Sequence, residues 1–308
     1  MHIPFVKPST IAYWKEARKQ GLSVFDRLHG YVYGRWCYHY IGMVHGKYKW
    51  LAALISPLIV FINRHSPFIP TGDSQPGDPG QKRPSWADTY HGKAMPLEEA
   101  TKLVQLNRSV NVQLPEQVVP FTRAREIVLR NPERIVVLDC PCRMGKENPC
   151  LPLDVCLIIG DPIASFILEH HPDHSRQITA EEAVDILKAE NARGHVSHAF
   201  FKDAMLDRFY AICNCCSCCC GAMVAHRMGN PMLFSSGYLA EVDEDKCVAC
   251  GECARKCQFK AIGFRDGSAF IREDCCMGCG VCVNTCNKDA LSLRLAPEKG
   301  TPLLVDKL

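Results

Sequence analysis

Cys247-Val248-Ala249-Cys250-Gly251-Glu252-Cys253-Ala254-Arg255-Lys256-Cys257 returns, 29 residues on, as Cys276-Met277-Gly278-Cys279-Gly280-Val281-Cys282-Val283-Asn284-Thr285-Cys286. Both stretches read Cys-x2-Cys-x2-Cys-x3-Cys. The flanks repeat as well: Glu244-Asp245 matches Glu273-Asp274, and Ala261-Ile262 matches Ala290-Leu291. An internal repeat of this kind implies two similar half-units packed on each other.

The spacing has a physical reason. A cubane iron–sulfur cluster takes four thiolates around a compact core. Three cysteines spaced by two residues wrap a short loop around three irons, and the fourth points away to reach the other cluster. By that rule one cluster takes Cys247, Cys250, Cys253 and Cys286, and the other takes Cys276, Cys279, Cys282 and Cys257. Gly251 and Gly280 let the backbone turn closely past inorganic sulfide, and the N–H groups of such a loop stabilise an anionic cluster. Zinc ribbons lack the three-cysteine loop.

This segment resembles the bacterial two-cluster ferredoxins over residues 241–293. The resemblance implies an α+β domain with two [4Fe-4S] clusters on these eight cysteines. It departs at one point: the family usually has proline after the fourth cysteine, and here Gln258 and Asn287 stand there. Proline there is not a ligand, so both clusters are expected. Cys275 aligns with Lys246 of the other copy and reads as a spare thiol.

Working outward, the chain has 308 residues, 20 cysteines and a formal net charge of +3. Hydrophobic residues make up 47% and charged residues 22%, which is globular composition. Disulfide-dense chains are usually short and secreted, without a sufficient core. This one is long, and Met1–Gln20 has no apolar signal segment. Reduced, metal-binding cysteines are therefore expected.

Ten more cysteines lie in the middle of the chain: Cys140, Cys142, Cys150 and Cys156, then Cys213, Cys215, Cys216, Cys218, Cys219 and Cys220. Residues 96–240 read as an α/β domain. Leu97–Asn107 and Pro115–Arg130 carry helical periodicity, and Thr179-x-x-Glu182 is a capping box opening a helix that Gly194 closes. Arg134–Asp139, Val155–Ile159 and Arg208–Ile212 look like buried strands, two of them running directly into cysteines. The carboxyl ends of parallel strands are where α/β folds build sites, so the cysteine groups are expected to meet at one sheet edge. All ten are candidate metal ligands, for one or two additional Fe–S clusters. Neighbouring residues on a strand face opposite ways, so Cys215 and Cys216 need not serve the same iron. Cys219-Cys220-Gly221 resembles the Cys-Cys-Gly cluster motifs of heterodisulfide reductases, over three residues. His170, His171, His174, His195 and His198 are further candidates, as ligands or proton donors. Arg143 stands ready to balance cluster charge or to be solvated.

Residues 1–70 read as a helical, aromatic docking region, 71–95 as a linker rich in Gly and Pro, and 294–308 as a tail. Residues 1–65 hold nine Lys or Arg against two acids, a local charge of +7, so the rest of the chain carries −4. Basic residues interleaved with Trp and Tyr favour a membrane interface. The apolar run Trp50–Ile62 is too short to span a bilayer; it docks on a membrane or redox partner, or packs as a core helix. Nucleic acid is not an expected partner, and neither a Rossmann fingerprint nor a P-loop is present. These features predict an iron–sulfur electron-transfer protein or oxidoreductase subunit of an anaerobic type. It is expected in the cytoplasm, free or peripheral on the cytoplasmic face of the membrane, serving a redox enzyme or membrane redox complex. The alternatives are a reductase with an open or non-cubane cluster acting on a disulfide or thioester, and a metal-handling or cluster-delivery protein. Cys37 reads as a bystander.

Overall fold

The computed structural model describes residues 6–44, 46–47, 89–121 and 124–308. The Trp50–Ile62 run and most of the 71–95 linker lie outside the described residues.

Three short helices come first: α1 (Pro8–Lys19), α2 (Val24–Arg35) and α3 (Cys37–Val44). Pro8 at the first helical turn fixes its own φ where no N–H partner is needed. Ser23 caps α2, accepting from the Asp26 N–H. The helices pack on the domain that follows. The Tyr13 hydroxyl donates to the Ala204 carbonyl at 3.0 Å. Glu16 pairs with Arg130 at 2.8 Å and with Arg208 at 3.5 Å.

The middle domain is built on one eight-stranded sheet that curls into a half-barrel. Its strands are β1 (Tyr90–Ala94), β2 (Val110–Gln113), β3 (Glu126–Asp139), β4 (Asp154–Asp161), β5 (Ser175–Ile178), β6 (Val196–Lys202), β7 (Arg208–Cys215) and β8 (Leu233–Phe234). The order is β2-β3-β4-β7-β6-β1-β8, with β5 also paired to β3. The helices of this domain are α4 (Leu97–Val104), α5 (Pro141–Met144), α6 (Ile163–His170), α7 (Ala180–Ala192) and α8 (Gly221–Arg227). Thr179 caps α7 through the Glu182 N–H at 3.2 Å, as the capping box predicts.

Two expectations need correction. The sheet is not a parallel α/β sheet: β3–β4, β4–β7, β7–β6 and β6–β1 are all antiparallel, and parallel pairing is confined to β1–β8 and one residue pair of β3–β7. The buried strands read as continuous apolar runs because both faces are covered, and that signal does not distinguish direction. Nor is Pro115–Arg130 a helix. Glu126–Arg130 is the first part of β3, paired with β2 from Val110↔Leu129 to Gln113↔Glu126. The apolar positions Val118, Val119 and Ile127 imitate a helical period, but Pro120 interrupts it and Ile127-Val128 favours a strand.

The cysteine groups nonetheless meet at one edge, for a different reason. β3 and β7 flank the antiparallel β4, so both run the same way. Their carboxyl ends, at Asp139 and Cys215, stand beside the start of β4. The register pairs Leu138 with Cys156, and Cys156 with Cys213.

The C-terminal module runs β9 (Tyr238–Val242), α9 (Glu252–Lys256), β10 (Ile262–Arg265), β11 (Ser268–Ile271), α10 (Val281–Thr285) and β12 (Leu291–Leu295). β9 pairs with β12 and β10 with β11, both antiparallel. The result is two βα-containing halves related by the sequence repeat. Gly251 and Gly280 precede α9 and α10 with φ of +84° and +75°, left-handed values that glycine adopts without strain.

Candidate metal centres

The C-terminal module encloses two small cavities of about 20 Å³ each. Cys247, Cys250, Cys253 and Cys286 line one; Cys257, Cys276, Cys279 and Cys282 line the other. Backbone amides point at the sulfurs: Ala269 N lies 3.4 Å from Cys247 Sγ, Ala261 N 3.3 Å from Cys257 Sγ, and Ala290 N 3.4 Å from Cys286 Sγ. The N–H groups of Ala269 and Ala249 hold the Cys247 thiol below its ordinary value, the polarity that favours thiolate. Burial pushes Cys279 up to about 12, so a cation must compensate before that sulfur can ionise. Cys275 lines neither cavity.

The ten middle thiols divide into two groups. Cys150, Cys216, Cys218 and Cys219 have their Sγ atoms all within 4.8 Å of one another. Cys150 and Cys218 are 3.0 Å apart, and Cys218 and Cys219 are 3.7 Å apart. Cys218 is exposed while Cys216 and Cys219 are buried. Burial works against a Cys218 thiolate, but contacts from Cys150, Cys216 and Cys219 outweigh it and hold its thiol below the ordinary value. Four sulfurs within 4.8 Å of one another suit a thiophilic metal.

The remaining six, Cys140, Cys142, Cys156, Cys213, Cys215 and Cys220, touch in succession. Cys213 contacts Cys156, Cys156 contacts Cys140, Cys140 contacts Cys142, and Cys142 contacts Cys220. Cys220 closes on Cys215 at 3.3 Å. All six line a cavity of about 60 Å³. Contact with Cys142, opposed by Cys156, and then burial push Cys140 up to about 12. Cys213 and Cys215 share a face of β7, and the intervening Asn214 is fixed away from them. Its side chain donates to the Val155 carbonyl at 3.0 Å and accepts from Ser197 Oγ at 3.0 Å. Cys216 and Cys219 also reach this cavity wall, so the two groups are neighbours.

Arg143 sits behind the cysteines at 1% exposure, so it is not solvated. It forms a buried ion pair with Glu190 and hydrogen-bonds the Pro152 carbonyl. It also reaches the Asn214 carbonyl at 3.3 Å. His195 Nδ1 lies 2.7 Å from Glu190 Oε2. Burial disfavours the Glu190 charge, but His195 and Arg143 outweigh burial and hold the carboxyl below the usual range. This triad ties the Cys140-Pro141-Cys142 turn to the end of α7.

The other candidate histidines have structural partners. His170 Nε2 meets Thr10 Oγ1 at 2.9 Å, and His171 Nε2 bonds the Gly34 carbonyl at 2.7 Å. His174 bonds Asp139 at 3.0 Å. Burial lowers His198 to about 4. Sequence reading missed three participants. Cys37 lines the six-thiol cavity, beside His171 Nε2 at 3.7 Å. Tyr33 and Tyr210 also line it, their hydroxyls 3.2 Å apart. No spacing connects Tyr33 on α2 or Cys37 on α3 to cysteines a hundred residues away; Tyr210, on β7 just before Cys213, is the one of the three that its position could have flagged.

The C-terminal module and the middle domain meet at the end of α7. Lys256 Nζ donates to the Ala192 carbonyl at 2.8 Å, and Asn284 Nδ2 donates to Asn191 Oδ1 at 3.0 Å. Gly194, at φ +93°, permits the approach: a Cβ there would lie 3.0 Å from Lys256 Cβ. Gln258, in the position after the fourth cysteine, bridges the gap. Its Oε1 accepts from Ser217 N at 2.8 Å, and its Nε2 donates to the Gly194 carbonyl at 3.0 Å. Ser217 lies between Cys216 and Cys218.

Residues 240–263 match the model of the 4Fe-4S binding domain family. No curated protein and no solved structure matches the chain. The matched stretch carries Cys247, Cys250, Cys253 and Cys257. With the thiols gathered around it, the match makes this an iron–sulfur protein with at least one [4Fe-4S] site. The middle cysteines form a further candidate metal site.

Proposed function

We propose that the protein relays single electrons through two [4Fe-4S] clusters in the C-terminal module to iron–sulfur centres held by the middle-domain cysteines. The observation that carries this reading is the Gln258 bridge. It joins the residue next to Cys257, in the wall of one C-terminal cavity, to Ser217 inside the four-thiol group. Bound iron–sulfur clusters supply one-electron transfer, and the chain tunes them through sulfur hydrogen bonds and burial. The amides aimed at Cys247, Cys257 and Cys286 favour the more reduced, more negative cluster. Hydrogen bonds of Lys256, Gln258 and Asn284 at the end of α7 tie the two sets of thiols together.

The partner is a redox enzyme or membrane redox complex. α2 supports docking on such a surface: it exposes Val24, Phe25 and Leu28, with Trp36 next to its end and Arg27 and Arg35 alongside. No helix among the described residues is long and apolar enough to cross a membrane.

A second reading, a reductase with its reacting centre in the middle domain, draws support from Tyr33 and Tyr210. Burial holds both phenols well above their usual value, so they stay protonated donors beside the six thiols.

Iron and sulfide counts on protein purified without oxygen, with electron paramagnetic resonance of the reduced form, test the relay. A total of about eight irons per chain would confine iron to the C-terminal module and overturn the middle-domain centres; twelve or more is expected. Replacing Cys216 and Cys219 with serine should remove the four-thiol group's share of the extra signal and spare the C-terminal pair.

A further inference from the structure

We propose that Cys150, Cys216, Cys218 and Cys219 hold a single metal ion, zinc or iron, in a tetrahedral shell of four thiolates, and not a cluster. This rests on the middle domain being metal-binding, and it is independent of the electron relay.

The spacing of the sulfurs sets the number of metal atoms. Four thiolates about 2.3 Å from one ion lie about 3.8 Å from one another, at the corners of a tetrahedron. Thiolates on separate irons of a cubane stand about 6 Å apart. In this group the Sγ atoms all lie within 4.8 Å of one another. Cys150 and Cys218 are 3.0 Å apart, and Cys218 and Cys219 are 3.7 Å apart. These separations bracket the single-ion value and fall short of the cubane value. The C-terminal module supplies the contrast. Among the described residues, this is the one set of three or more Cys, His, Asp or Glu side chains that converges so closely; the two C-terminal sets, which carry the cubane motif, do not.

The backbone around the group suits such a site. Cys216, Cys218 and Cys219 lie in the turn between β7 and α8. Cys150 comes from residues 145–153, which form neither helix nor strand. Cys216 and Cys219 have the two-residue spacing with which one turn presents two thiolates to one ion. The Cys219 N–H hydrogen-bonds Cys216 Sγ, and the Cys150 N–H lies 3.5 Å from Cys219 Sγ. Four thiolates around a divalent ion keep a net negative charge, and N–H donors aimed at the sulfurs stabilise it. Protein fills all four corners of the tetrahedron, the closed arrangement of a structural site.

The position of the ion gives it a task. Cys216 and Cys219 also belong to the wall of the larger cavity, whereas Cys150 and Cys218 do not, and Cys218 is exposed. The ion therefore sits at the rim of that cavity. There it ties the irregular Cys150 segment to the turn after β7. Ser217, between two of the ligands, gives its N–H to Gln258 Oε1 at 2.8 Å. The ion thus fixes the turn against which the C-terminal module rests.

The test is metal and sulfide analysis of the full chain purified without oxygen, beside a Cys150→Ser/Cys218→Ser variant. The variant is expected to lose about one zinc or iron ion per chain and no sulfide. Loss of about four irons with about four sulfides would mean a cubane, and no loss of metal would mean thiols that stay empty or pair as a disulfide; either result overturns the proposal. Wild-type spectra decide the matter even if the variant does not fold. If the ion is zinc, X-ray absorption at the zinc edge should show four sulfurs at about 2.3 Å and no second metal nearby. If it is iron, Mössbauer spectra of iron-57 protein should contain a one-iron component apart from the coupled clusters. A wild type with neither overturns the proposal. The relay is judged separately. This ion beside a total of only about eight cluster irons would leave the site standing and remove the middle-domain iron–sulfur centres, and about twelve cluster irons without the ion would do the reverse.

Discussion

Between Cys247 and Cys257 four thiols fall within eleven residues; between Cys140 and Cys220 ten thiols are spread over eighty-one. The C-terminal module makes its sites locally. A short loop fixes three sulfurs, and one crossing thiol completes each set. The middle domain makes its sites by topology. Antiparallel β4 brings Cys156 between the ends of β3 and β7, Cys213 and Cys215 stand on β7 itself, and the segments that follow β3 and β7 contribute the rest. The first design tolerates changes in the surrounding fold. The second depends on the sheet and on the buried contacts that hold its edge together.

That dependence gives the largest expected effect. Arg143→Ala takes from the buried Glu190 the one fully buried cation of its three partners, leaving His195 at 2.7 Å and Arg193 at 3.0 Å. Breaking a buried pair from one side costs about 3–5 kcal/mol when the charge is left alone; with two partners retained the loss falls below that, and a drop of several degrees in melting temperature is expected for a domain of this size. The melting of the middle domain should fall while the C-terminal cluster signals survive at room temperature. Equal loss of both would mean that the two regions form one cooperative unit.

The same contrast decides what could be read in advance. The 2-2-3 spacing acts over a few residues, so the grouping of the eight C-terminal cysteines around two cavities is legible from the sequence. Thr179 and Glu182 are legible for the same reason, since a cap is a local interaction. The middle site needed the sheet. Val155–Ile159 identifies a strand but not its direction, and only direction puts Cys156 beside Cys140 and Cys213. The division of Cys215 from Cys216 follows from strand alternation, yet their different partners appear only once Cys150 and Cys220 are located. Cys37 enters the cavity wall from a separate helix and leaves no local mark. Pro115–Arg130 misled because two valines and an isoleucine imitate a helical period across a proline.

Next in size comes removal of a single centre. Cys150→Ser with Cys218→Ser strips the four-thiol group of two members that do not line the six-thiol cavity. The metal held by this group should be lost, and the remaining signals should persist. Loss of the larger share of middle-domain iron would show that the two groups serve one centre.

Within the C-terminal module the crossing thiols predict a particular pattern of combined effects. Cys257→Ser and Cys276→Ser line the same cavity, so the double variant should lose no more than one cubane signal. Cys257→Ser with Cys247→Ser should lose both, although these two residues belong to the same sequence motif. The reverse result, one signal lost in the motif pair and two in the cavity pair, would refute the crossing.

The smallest effect is expected at the contact that joins the two designs. Gln258→Pro installs the residue usual after the fourth cysteine in two-cluster ferredoxins and removes the bonds to Ser217 N and the Gly194 carbonyl. Proline is not a ligand, so the iron count should not change. Two hydrogen bonds at a half-buried junction are worth about 2 kcal/mol together, which loosens the junction without separating it, because Lys256 and Asn284 still hold α7. The predicted consequence is kinetic. Reduction of the middle-domain signal after rapid photoreduction of the C-terminal clusters should slow several-fold, since tunnelling is sensitive to small increases in separation. Asn287→Pro makes the same substitution at the matching, exposed position of the second copy and should leave the rate unchanged. Equal slowing in both variants would trace the effect to the module's own clusters. Slowing in Gln258→Pro alone would identify Gln258 as the positioning residue between the locally built sites and the sheet-built ones.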